Sequence, residues 1–215
     1  MRYFKYSISK GFIFAPNYDI PMFVSYLFII PTLSLFVLNL ETEFYYFYRS
    51  FYRSIEENRT LKFIRLSKAN MDESVSSSSK LILSIQLTFA LTGLILSKKL
   101  AQILLLDNYG LIALRFGIIG AAANGLFLYA ILISYYFDLP EIPLKGSSIA
   151  LSLNTVISIF TIQIFPGAGF TIGFIVATIY VFMAFNKIYS DILRLEFTRS
   201  KLNLPKREVI IHENK

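Results

Sequence analysis

The chain has no cysteine and no tryptophan, and its single histidine, His212, sits in a polar C-terminal tail. Without cysteine there are no disulfides, thiolate metal sites or thiol nucleophiles, and nothing about the redox compartment follows. One histidine leaves a histidine metal cluster or a Ser-His relay without a second component. Charge is scarce as well. Asp, Glu, Lys and Arg make up 16% of 215 residues against 55% hydrophobic ones, a balance foreign to a soluble domain of this length. No glycine-rich phosphate loop is found, and no strands are expected. Ser76 to Ser79 belong to a solvated tract rather than a nucleophile site. The chain implies no enzyme chemistry, no cofactor and no metal.

What remains is apolar helix. Five stretches are long enough to cross about 30 Å of hydrocarbon: 20–40, 81–97, 111–137, 147–165 and 168–186. The expected class is an all-α polytopic membrane protein with about five transmembrane helices. The second span is short, and Lys98 and Lys99 lead into LAQILLL, which lies in the interface or extends the helix. The third is long and tilted, and Pro166 and Gly167 make a tight turn between the last two. No signal pattern of basic start, short apolar run and small-residue cleavage site precedes the spans. Residues 1–19 are then an extracytoplasmic segment, 41–80 a cytoplasmic amphipathic loop and 187–215 a basic cytoplasmic tail. Fifteen of the 21 Lys and Arg residues fall on the side of that loop and tail, which the positive-inside rule assigns to the cytoplasm. The net charge of +7 therefore reflects topology and contact with membrane lipids, not nucleic acid.

The segment Glu41 to Arg53, ETEFYYFYRSFYR, joins two carboxylates, seven aromatics and two arginines where the first span ends. Phe44, Tyr48, Phe51, Tyr52 and Ile55 fall at helical spacings, with Arg49, Arg53, Glu56 and Glu57 toward water. The pattern predicts an amphipathic helix anchored by tyrosines in the interface. The Ser74 to Ser79 tract reads as a linker before the second span.

At these residues the chain resembles a known family. NYDIPMF (Asn17 to Phe23), YLFIIP (Tyr26 to Pro31) and ETEFY (Glu41 to Tyr45), followed by Tyr48, Arg49, Phe51 and Tyr52, are similar to the PelG family. Arg115 with Phe116, and the GAA run at Gly120 to Ala122, extend the likeness more weakly, from about Ala15 to about Phe197. That family comprises integral membrane transporters of Pel exopolysaccharide biosynthesis, related to multidrug and lipid-linked oligosaccharide flippases. The resemblance implies a multi-pass protein of the bacterial inner membrane with a cytoplasmic C-terminus, helping to move polysaccharide. Family members are expected to be about twice as long, with around twelve helices in two lobes. This chain corresponds to the C-terminal lobe, and the other lobe is supplied by a separate polypeptide or replaced by self-association. The alternatives are a scaffold that recruits a cytoplasmic glycosyltransferase and other Pel-type membrane components, or an inactive truncated fragment.

For transport, the informative residues are polar groups within apolar helices, because a charge at the bilayer centre costs at least about 3 kcal/mol. Arg115 is either a snorkelling partner of Asp107 or a cavity arginine for carbohydrate, lipid phosphate or a coupling carboxylate. Gln86, Asn124, Asn154 and Gln163 are neutral amides, suited to interhelical hydrogen bonds or to contacts along a substrate path. Glu41 and Glu43 are candidates for coupling, or for salt bridges to loop arginines or a partner protein. Tyr45, Tyr48, Arg49, Tyr52 and Arg53 share that coupling or partner-contact role. Pro31 predicts a kink in the first span, and Asp19 a helix cap. Small residues, Gly117, Gly120, Ala121 and Ala122, then Gly169, Gly173 and Ala177, mark close helix contacts.

Overall fold

In a medium without water a backbone must satisfy its own hydrogen bonds, and helix is how a single segment does so. The computed structural model describes residues 7–9 and 12–193, and within them five helical units are long and apolar enough to cross a bilayer. The first runs from Pro16 to Glu56. It comprises α1 (Pro16–Tyr26), a 3-10 turn (Leu27–Ile29), α2 (Ile30–Asn39), a π-helical turn (Leu40–Phe44) and α3 (Tyr45–Glu56). The others are α4 (Leu61–Ile103), α5 (Asn108–Tyr136), α6 (Glu141–Thr161) and α7 (Ala168–Tyr189). The basic residues from Arg194 onward, and His212, lie outside the described residues.

The described residues form helices apart from one small antiparallel hairpin, β1 (Ser7–Ser9) with β2 (Phe12–Phe14), in which Ile8 pairs with Ile13. This corrects the expectation of no strands. Three-residue strands are too short to leave a readable alternation.

α5 occupies the centre, touching α1, α4 and α7, while α6 packs on the outside of α7. Side-chain hydroxyls stitch these contacts. Ser25 of α1 donates to the Leu114 carbonyl (3.2 Å), and from α7 Thr171 donates to Phe116 O (2.6 Å) and Thr178 to Ala123 O (3.0 Å). On the α4 side, Ala90 packs with Leu114, Ile118 and Ala122.

Residues 41–80 are not a loop, and the Ser74 to Ser79 tract is not a linker. The first helical unit continues to Glu56, residues 57–60 make the turn, and α4 then runs unbroken for 43 residues. Asn58 takes the left-handed conformation (φ 49°), with Arg59 N–H bonded to Ser54 O, the usual way to end a helix sharply. Serine's poor helix propensity costs only about 0.5 kcal/mol per residue, and tertiary contacts outweigh it. Met71 and Ile82, on either side of the tract, are fully buried, and Ser79 lies 2.8 Å from the Tyr129 hydroxyl. At 1.5 Å per residue α4 is about 64 Å long, twice the hydrocarbon thickness. Asp72 meets Tyr189, the last residue of α7, so the stretch from Leu61 to Met71 projects about 16 Å farther with α3 beside it.

Other boundaries shift. The first helix begins at Pro16, placing Pro21 inside it, and α4 carries Lys98 and Lys99 on to Ile103. α6 spans Glu141–Thr161, so Gln163 falls in the turn beyond it rather than in a span.

Candidate functional site

Pro31 lacks an N–H, which deprives the Leu27 carbonyl of its helical donor. The chain tightens into the 3-10 turn there, with Ile30 N–H bonded to Leu27 O. Gln86 of α4 completes the repair. Fully buried, it donates from Nε2 to Phe28 O (3.2 Å) and accepts from the Thr32 hydroxyl. Both ends of this amide are taken up in tying α4 to the first span. Gln86→Leu leaves Phe28 O and Thr32 without that partner in a dry contact, so we expect a loss of about 1–3 kcal/mol, read from the unfolding midpoint in mixed micelles.

Toward the projecting hairpin, the aromatic stripe of α3 faces inward. Phe44, Tyr48 and Phe51 are buried, Tyr45, Tyr52 and Ile55 half-buried, and Glu43, Arg49, Arg53, Glu56 and Glu57 exposed. Protein covers the stripe. Tyr48 donates to Tyr136 O (2.9 Å), and its ring lies 5.8 Å from that of Phe137, which is itself 5.6 Å from Phe185 and 5.0 Å from Tyr189. A charged group closes the cluster. Tyr189 donates to Asp72 Oδ1 (2.6 Å), Lys68 donates to Asp72 Oδ2 (2.7 Å), and the Lys68 ammonium sits 5.1 Å over the Tyr189 ring.

Sequence reasoning missed Lys68, Asp72, Tyr189, Ser79 and Tyr129. The Lys68/Asp72 spacing of four was the available signal, hidden by assigning that stretch to a loop. Arg53 bonds Glu57, as does Arg59, and hydrogen bonds from Arg59 and then Arg53 hold the Glu57 carboxyl below its usual range. Glu43 and Arg49 form no ion pair with a described residue. The Glu41 side chain lies outside the described residues.

The remaining amides sit on separate elements. Asn124 is buried on α5, two turns along the face on which Gly117 meets α1. Asn154 is half-buried on α6 and accepts from Ser158 (3.1 Å), and Gln163 is exposed in the following turn. Two outward faces carry a different polar pattern. Ser84, Thr88 and Thr92 on α4, and Ser148, Ser152 and Thr155 on α6, are exposed at spacings of three or four. Thr88, Thr92, Ser148 and Thr155 donate to the carbonyl four residues earlier, which leaves their oxygens able to accept.

At the opposite end of the bundle, Asp107 is not paired with Arg115. It caps α5, with Oδ1 accepting from Gly110 N–H (2.8 Å) and Oδ2 from Asn17 Nδ2 (2.9 Å). Asp19 likewise serves its helix start, accepting from Ala15 N–H (2.8 Å). Arg115 donates from Nε to the buried Ser97 hydroxyl (3.0 Å). Among the described residues there is no cluster of three or more His, Cys, Asp or Glu able to hold a metal.

Five helical units long and apolar enough to cross a bilayer, two of them carrying neutral hydroxyls on their outer faces, define the class as a polytopic membrane protein. The chain belongs to the PelG family, whose model, described as "Putative exopolysaccharide Exporter (EPS-E)", matches residues 1–197. This is a family of transporters rather than of enzymes. Neither the curated proteins nor the solved structures gave a match.

Proposed function

We propose that this chain forms one lobe of an inner-membrane exopolysaccharide exporter, with its hydroxyl-bearing faces toward the polymer or toward a second lobe. The family match over residues 1–197 carries the reading. The outward hydroxyls of α4 and α6 support it, since a hydrated polysaccharide needs uncharged acceptors and lipid chains need none. The half-buried amide of Asn154 on α6 adds to the same inventory, while Asn124 is buried within the bundle. The second lobe is another polypeptide or another copy of this chain, and the α3/α4 hairpin lies on the cytoplasmic side with the basic tail.

Replacing Thr88, Thr92, Ser152 and Thr155 together by valine and alanine of matching size is expected to lower export about tenfold or more while membrane abundance stays unchanged. Secreted polymer and immunoblotted membranes are the two readouts. Unchanged export would remove these faces from the path.

A second reading has its own observation, the projecting hairpin with exposed Tyr46, Arg49, Arg53, Lys62 and Arg65. Under it the chain is a scaffold that recruits a cytoplasmic glycosyltransferase. Charge reversal at Arg49 and Arg53 then abolishes co-purification of that enzyme, and the hydroxyl substitutions have no effect.

A further inference from the structure

Arg115 stands in an unusual charge balance. α5 is 29 residues, about 43 Å, against about 30 Å of hydrocarbon, and Arg115 is seven residues from its start, about 10 Å along it. That places the guanidinium near the hydrocarbon boundary, at the end of the bundle away from the aromatic cluster. Among the described residues only Asp19 and Asp107 are acidic at this end, and both carboxylates are committed to helix starts. Three cations among the described residues share the end. Lys98 and Lys99 are exposed beside Ser97, Arg115 is half-buried, and none forms an ion pair with a described residue.

The hydrogen bonding of Arg115 is directional. Ser97 donates its own proton to Leu94 O (2.7 Å), so its oxygen is left to accept from Arg115 Nε (3.0 Å). A neutral, fully buried acceptor thus fixes the base of the guanidinium, and no described carboxylate pairs with its charge. The two terminal nitrogens remain a planar fork, the geometry that matches two oxygens of a phosphate.

We propose that Arg115, with Lys98 and Lys99 following its partner Ser97 on α4, binds a phosphate group, supplied by the headgroup of an anionic membrane lipid. Ser97 is the positioning residue. Hydrocarbon below the guanidinium and water above it favour a ligand whose charge lies at the boundary and whose tails run alongside the helices, which a phospholipid provides. The site stands apart from the exporter reading, because it requires binding and not passage.

The test uses the purified full chain in micelles containing phosphatidylglycerol and phosphatidylcholine in equal amounts, with retained lipid counted by native mass spectrometry. Phosphatidylglycerol is expected to be retained over phosphatidylcholine. Arg115→Gln reduces that retention about tenfold, as loss of a bidentate charged contact should. Arg115→Lys restores part of it, and Arg53→Gln at the other end leaves it unchanged. Retention by Arg115→Gln equal to that of the parent chain overturns the proposal.

Inorganic phosphate separates the two sources of the group. Displacement of the lipid by millimolar phosphate overturns the lipid assignment, and no displacement supports it. Should Arg115→Gln not fold, the double variant Lys98→Gln, Lys99→Gln decides in its place, with reduced retention supporting the site and unchanged retention sinking it. Polymer export is measured in none of these arms, so their outcome leaves the transport reading where it stood.

Discussion

Phe137→Ala is expected to destabilise the protein by about 3–5 kcal/mol, among the largest effects of any single truncation in the chain. Phe137 has no solvent-exposed surface and lies where four elements meet. Its ring is 6.1 Å from Phe44, 5.8 Å from Tyr48, 5.6 Å from Phe185 and 5.0 Å from Tyr189, several of these contacts edge to face. Truncation opens a cavity that neighbours held on α3, α5 and α7 cannot close together, and the cost of such a cavity adds to the lost transfer energy. It also loosens the wall against which Tyr189 holds Asp72. Unfolding by denaturing detergent should show a lowered midpoint, and proteolysis within residues 45–72 should accelerate because the projecting hairpin is anchored by this cluster. Phe137→Leu, which keeps most of the volume, should lose less than half as much. A midpoint within about 0.5 kcal/mol of the parent chain would show that the cluster does not hold the hairpin.

Gly169→Val with Gly173→Val should separate α6 from α7. A Cβ on Gly173 would stand 2.9 Å from Ala150 O and 3.1 Å from Asn154 N, and one on Gly169 would stand 2.7 Å from Asn154 O. These neighbours are backbone atoms of α6, which no rotamer change can move aside, so the whole helix must shift. Each overpacked position costs about 1–3 kcal/mol, and two on one face act together. Gly125→Ala is the contrasting case. Its Cβ would meet Gln86 at 3.5 Å, an ordinary contact, and alanine favours helix over glycine by about 1 kcal/mol. The expected signs are therefore opposite, a lowered midpoint for the α7 pair and an unchanged or raised one for Gly125→Ala. Equal behaviour would show that small size is not what these α7 glycines contribute.

The residues show how far the sequence could be read. The inward stripe of α3 followed from spacing, since a period near 3.6 places Phe44, Tyr48 and Phe51 on one side whatever covers it. What covers it did not follow, and the interface was inferred where Tyr136 and Phe137 actually lie. Residues 61–80 have the composition of a solvated segment, which predicts a loop where the structure has helix. In the fold they are tied down by Ser79 meeting Tyr129 and Asp72 meeting Tyr189, partners 50 and 117 residues distant. Arg115 was singled out as a charge in an apolar span, yet Asp107 proved to be a helix cap and Ser97, inconspicuous in sequence, its hydrogen-bond partner.

The sequence by itself determined five helices long and apolar enough to span a membrane, because apolar composition and internal pairing of backbone groups are local requirements met within each segment. It also carried the family motifs. Only the tertiary structure decided which polar groups are consumed in holding the helices together, as Gln86 and Asp107 are, and which keep their charge or their lone pairs open, as Arg115 and the outer hydroxyls of α4 and α6 do. The physical reason is that a hydrogen bond between helices is fixed by rotation and depth about two axes at once, and no single stretch of chain specifies both.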